Sequence, residues 1–480
     1  MLLTLLLPTI SLAATVVYDW NITYVEDINP DNQFPRKVIG VNNKWPLPPI
    51  NATINDTLII NVYNGLDVPS ALHTHGFFHN KTNYNDGAPG ITECGIAPGS
   101  KLTYNITVEQ AGTYWIHGHW NGQYVDGLQA PVTLFDPTDV ARYKYDEEYV
   151  LSLTDWYHEQ HKVLIDHFLS IYNPTGAEPS PDSALINHGL NKPLKFVPGK
   201  TYRLRIVSMA SLAVFNVHID DHKMKIIEVD GELVEPYEVD VLPLATAQRY
   251  SVLVTAKEKT DNNYYLHAKM DPNMLDTPSP NPNATVLISY KDNAPLFSSE
   301  ILDYPSDPAL FDEMKLTPIT KMDVVKPDAS FTYDVNFELF EDATNHGTFN
   351  QNPFVFPKVP AMFSALSMGE NASNASTYGP RTGAAVLKHM EMVQIVINNK
   401  DAGNHPFHLH GHKFQVVYTG VGAYYDEVQT PLNITAAGIT NPVRRDTVVV
   451  PGEGYTVLRF RADNPGAWFM HCHIEWHCKF

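Results

Sequence analysis

The chain has 480 residues, too many for one ordinary domain, and its length alone suggests about two to four. An apolar content of 44% and an aromatic content of 11% are those of a soluble globular protein that can bury sizeable cores. A formal net charge of −20 excludes nucleic acid as a natural partner and attracts cations, although acidity also serves extracellular proteins simply as a source of solubility.

Residues 1–14 read as an export signal: a short apolar run, then Ala13 and Ala14, where a peptidase can cut. No basic residue precedes the run. Sequons at Asn21, Asn51, Asn55, Asn80, Asn105, Asn283, Asn371, Asn374 and Asn433 fit passage through a glycosylating compartment. No later stretch is long and apolar enough to span a bilayer, so the expected location is the secretory pathway and then the cell exterior or surface. Cys94, Cys472 and Cys478 draw no obvious disulfide framework.

The predicted elements are nearly all strands, short and β-branched, as at 57–63, 250–254 and 394–398. The best candidate for a short helix is 159–172. An internal repeat joins the two ends of the chain. Pro98-Gly99 followed by 112–119 resembles Pro451-Gly452 followed by 466–473. Pro198-Gly199 with 202–206 looks like a third copy of the opening strand. After it, 217–219 and 222–224 take the places that 408–410 and 412–414 take later. A β-sandwich is therefore expected three times, with the paired ligands lost from the middle copy. Boundaries fall near 136–145 and 292–317, giving units at 15–140, 141–300 and 301–480, and 422–442 reads as a surface loop.

Four histidine clusters carry the chemistry. His73 and His75, His117 and His119, His408 and His410, and His471 and His473 are each two residues apart, so in a strand each pair points from one face. Together they offer eight nitrogens, which suits three coppers with positions left for oxygen. Cys472 lies between His471 and His473 and must point the other way. With His405, which is out of phase with His408, and with His477, it makes the two-histidine, one-cysteine set of a blue copper site. The sites would share one strand and lie on the order of 10 Å apart. His412 is left unassigned. Zinc is the rival metal, but structural zinc takes four ligands and catalytic zinc three, fewer than the ligands gathered here.

From Tyr18 onward these clusters resemble the multicopper oxidases, the family of laccases, ascorbate oxidase and ferroxidases. The resemblance implies three cupredoxin-like Greek-key domains in an all-β chain. It also implies four copper ions: one type 1, one type 2 on His73 and His408, and a type 3 pair on His75, His117, His119, His410, His471 and His473. Within the family the chain is most similar to the fungal iron-transport ferroxidases, through 171–179, 274–276 and 401–405. That similarity implies ferrous iron bound by Glu178, Asp276 and Asp401, dioxygen as acceptor, and an iron permease as partner of the full-length form. Hard carboxylate oxygens suit iron, and suit ferric over ferrous iron. Asp271, in the same loop as Asp276, reads as an ordinary acid. Asp86 and Glu475 match family residues that deliver protons during oxygen reduction. The alternatives are a laccase-like phenol oxidase and a non-catalytic copper-binding protein.

In the family, the residue five positions after the second type 1 histidine is axial to the copper. From His477 that would be position 482, beyond Phe480. The expectation is a third domain lacking its closing strand, a missing C-terminal membrane anchor, a Cys94 deprived of its partner, and a chain that is a poor oxidase as written.

Overall fold

A computed structural model describes residues 13–297, 311–426 and 438–478. Most of the signal segment, the sequon at Asn433, the middle of the 422–442 loop, part of the 292–317 boundary, and Lys479 with Phe480 lie outside them. One strand order is used three times. Thr15–Ile28 runs parallel to Thr57–Asn64, which pairs antiparallel with Lys101–Thr107. Glu147–Trp156, Thr201–Ser208 and Arg249–Thr255 repeat that order, as do Ala329–Leu339, Met392–Asn399 and Gly454–Arg461. The strand after Pro198-Gly199 is therefore the counterpart of Thr57–Asn64, not of the strands that follow Pro98-Gly99 and Pro451-Gly452. A shared turn dipeptide marked two different places in the sandwich.

The facing sheets carry the function. Leu72–His75, Gly112–Gly118 and Gln129–Phe135 lie side by side in the first sandwich, and Phe215–Ile219, Tyr264–Met270 and Asn283–Ser289 in the second. In the third, Met470–Cys472 pairs with His405–Leu409 and, among the described residues, has no strand on its other side. The predicted helix forms as His161–Phe168.

Strands such as Thr57–Asn64 and Asn283–Ser289 alternate buried and more exposed side chains, as half-covered sheets must. The histidine-bearing strands Leu72–His75 and His405–Leu409 are buried at every position. Leu72 and Ile116 fill the first core, and Phe407 and Leu409 the core shared by the second and third sandwiches. The histidines alternate with these residues on the opposite face. They are covered only because the first and third sandwiches turn those faces toward each other.

Candidate metal centres

His405, Cys472 and His477 come together as expected. Cys472 Sγ lies 3.8 Å from His405 Nδ1 and 3.5 Å from His477 Nδ1. Phe337 stacks on His405 and tilts against His477, closing the apolar side. The outer nitrogens are held by carboxylates: Glu178 Oε1 is 2.8 Å from His477 Nε2, and Asp401 Oδ2 is 3.0 Å from His405 Nε2. Asp276 is exposed beside them, its carboxyl pushed up by burial and by the neighbouring charges of Glu178 and Asp401. Burial opposes ionisation of Cys472, yet the two imidazoles outweigh it and lower its thiol to about 6. Burial likewise opposes a charge on His405, yet Asp401 and Cys472 raise it to about 10. Asp271 caps the short turn Pro272–Met274 by accepting from Asn273 N, so it is structural.

The second group brings together both histidines of each pair. Cross-strand partners His73 and His117, and His408 and His471, meet edge to face with interplanar angles of 83° and 88°. Across the seam between sandwiches, His75 stacks on His408 at 3.7 Å and His73 on His410 at 4.0 Å between ring centroids. Several rings are anchored from behind. His73 Nδ1 donates to Asp86 O at 2.7 Å, His408 Nδ1 to Asp446 O at 2.8 Å, and His471 Nδ1 to Cys472 O at 2.8 Å. That leaves buried Nε2 atoms on His73, His117 and His408, Nδ1 on His75, and both nitrogens of His473 with no hydrogen-bond partner. A buried lone pair left unpaired costs about 1–3 kcal/mol, and so many facing one space suit a metal cluster. Burial and then the neighbouring imidazoles hold His117, His471 and His473 well below the usual histidine range, and burial with His73 brings His119 down to about 3. These four rings are neutral at physiological pH, the form that binds metal. The donor set fits copper: imidazoles in both places and a single thiolate in one.

Asp86 is fully buried between His73 and His410, with Oδ2 2.9 Å from His410 Nδ1. Glu475 lines a cavity of about 290 Å³ together with His117, His119, His471 and His473. His412 stays out of the cluster and donates from Nδ1 to His410 O.

Sequence reasoning missed Asp446 and Arg249. Asp446 Oδ1 is 3.2 Å from His75 Nε2, and Arg249 grips the same carboxylate with bonds of 2.7 and 2.6 Å. This ion pair ties a strand of the middle sandwich to histidines of the other two. Its only trace in the sequence is an acid beside two arginines at 444–446.

The middle sandwich also differs from expectation. It keeps a cross-strand histidine pair, His218 and His267, in the register of His73–His117 and His408–His471. Asp220 and Lys269 stand where His410 and His473 stand in the third, one residue away from the alignment read in the sequence. The two rings lie parallel, 3° apart, instead of edge to face. His267 Nε2 engages Asp220 at 3.1 Å.

Three sandwiches, a thiolate-centred site and a multi-imidazole cluster define a redox metalloprotein. The multicopper oxidase family pattern matches residues 22–139, 147–293 and 354–479. The iron multicopper oxidase fer1 of Mycosarcoma maydis is 45% identical, over 97% of this chain and 79% of its own length. The iron transport multicopper oxidase fetC of Epichloe festucae is 43% identical, over 97% of this chain and 75% of its own. The crystal structure of Fet3p, described as a multicopper oxidase that functions in iron import, superposes with a TM-score of 0.90 at 38% identity, covering 96% of this chain and 88% of that one. A laccase from Botrytis aclada superposes with a TM-score of 0.77 at 28% identity, over 97% and 86% of the two chains. The chain belongs to the multicopper oxidases.

Proposed function

We propose that the protein oxidises Fe(II) to Fe(III) with dioxygen as electron acceptor, in iron uptake. The observation that carries this reading is the pair of carboxylates, Glu178 and Asp401, each bonded to the outer nitrogen of a histidine whose inner nitrogen faces Cys472. An iron held by these oxygens and by Asp276 lies one imidazole from the mononuclear centre. Hard, anionic ligands also favour the ferric product.

His405, Cys472 and His477 would hold one copper, and the eight paired histidines three, with His73 and His408 on the type 2 ion. Copper bound there supplies one-electron redox chemistry toward both substrates. The chain's own contribution is placement. The bond from His471 to the Cys472 carbonyl links the two centres directly. Phe337 keeps water from the thiolate. Asp86, bonded to His410, and Glu475, in the cavity beside the cluster, would deliver the protons that oxygen reduction consumes. The sequons at Asn51, Asn55, Asn80, Asn105, Asn371 and Asn374 are exposed, which supports export and glycosylation; an unchanged mobility after endoglycosidase treatment would contradict it. An iron permease is the proposed partner, and failure of the two to co-purify from detergent-solubilised membranes would count against it.

The test is steady-state oxidation of ferrous ion and of a bulky phenol by single variants. Glu178→Ala and Asp401→Ala should each cut kcat/KM for iron about tenfold or more and spare the phenol. Equal losses on both substrates would favour a laccase-like enzyme.

A further inference from the structure

The cavity that reaches the cluster shares Trp120 and Asn121 with a second cavity of about 340 Å³. His161, Lys162, Ile165 and Asp166 of the 161–168 helix line the second one. Gly122 follows these two residues in the chain. A Cβ built there would lie 2.9 Å from Ile165 Cδ1, 3.3 Å from Glu475 Oε1 and 3.4 Å from His161 Cδ2. The carboxylate and the imidazole therefore face each other across one glycine, within about 7 Å, the reach of one or two bridging waters.

His161 is set up for one task. Its Nδ1 donates to Asp126 Oδ2 at 2.5 Å, and its backbone N donates to Asp126 Oδ1 at 3.0 Å. Arg36 Nη1 donates to the same carboxylate at 2.5 Å. With Nδ1 fixed, the tautomer is fixed, and Nε2, on the edge nearest Gly122, carries the free lone pair. That nitrogen makes no hydrogen bond to the described residues, and the side chain is 17% exposed. Burial opposes the Asp126 charge, but His161 and Arg36 hold that carboxyl below its usual range, so it remains an anion that stabilises a protonated ring. Also near His161 are the Lys162–Asp166 pair on its own helix and Glu475 beside the glycine.

We infer that His161, oriented by Asp126, is the gateway that passes protons from solvent into the cavity serving the histidine cluster. This deepens, and rests on, the reading that protons reach the cluster from the Glu475 side. The ring takes a proton from solvent at Nε2, becomes an imidazolium beside Asp126, and releases that proton from the same nitrogen through water past Gly122. No electron moves, and the ring returns to its neutral tautomer.

Three measurements test this on the full, copper-loaded chain. His161→Ala should lower oxygen consumption with saturating ferrous ion at neutral pH about tenfold or more, and added imidazole should restore most of it relative to imidazole-treated wild type. His161→Gln, which keeps an N–H for Asp126 but no titratable nitrogen, should show the same loss without rescue. In the reduced, diamagnetic protein, nitrogen NMR of the neutral His161 ring should show Nδ1 protonated and Nε2 bare. Full turnover in both His161 variants, a loss that imidazole does not restore in His161→Ala, or a neutral ring protonated at Nε2 overturns the gateway. If Glu475→Gln keeps full turnover while His161→Ala loses it and is rescued, the role given to Glu475 fails and the gateway stands. If Glu475→Gln is impaired and His161→Ala is not, the gateway alone fails.

Discussion

The two centres are built on opposite electrostatic plans. Around Cys472 the groups are charged and open to one side: a thiolate, two imidazoles raised toward protonation, and carboxylates with side chains 24% and 35% exposed at Glu178 and Asp401. The cluster is closed and mostly neutral, its imidazoles desolvated and pinned from behind by backbone carbonyls and by Asp86 and Asp446. The difference teaches where each substrate belongs. A hydrated cation is met by anionic oxygens at an open rim, whereas neutral dioxygen is met by buried imidazoles held largely neutral by desolvation.

The sharpest way to break this comparison is to remove the thiolate. Cys472→Ser should abolish the intense blue absorption and bring ferrous oxidation to background, while the protein retains most of its copper on the histidine cluster. Persistence of the blue band would refute the assignment. Next in size, Asp446→Ala takes the two-pronged partner from buried Arg249 and leaves it Asp230 at 3.6 Å, which costs up to about 3–5 kcal/mol. It also frees His75 and should weaken copper retention at the cluster about 10–100-fold. Metal analysis after dialysis against a chelator checks it, and the blue band should outlast the cluster copper. A smaller effect concerns the metal-free protein. Because the Cys472 thiol is lowered to about 6, its alkylation should rise from pH 5 to a plateau above pH 7. Cys478, held well above the usual thiol range by burial and by Glu475, should stay unreactive across that window. Mass spectrometry of the labelled peptides separates the two.

Period-two spacing made the histidine pairs legible, and the odd phase of His405 was enough to send it to Cys472. Alternation is local, and a strand imposes it whatever the rest of the chain does. What stayed hidden was long-range. Asp446 acts through a carboxylate gripped from another sandwich by Arg249, almost 200 positions earlier, and no spacing announces such a contact. His218 and His267 show the converse. They hold the right register in the wrong sandwich, with Lys269 at a ligand position and their rings lying parallel. Register places two imidazoles side by side; a facing sandwich with two more is what turns them toward a metal.

The most direct test of the account is the anaerobic bleaching of the blue band by one reductant at a time. With ferrous ion, the double variant Glu178→Ala/Asp401→Ala should reduce its Cys472 centre about a hundredfold more slowly than wild type, while an aromatic diamine should reduce both proteins at the same rate. If ferrous ion bleaches the variant as fast as wild type, electrons do not enter through these carboxylates, and the protein is not the iron oxidase described here.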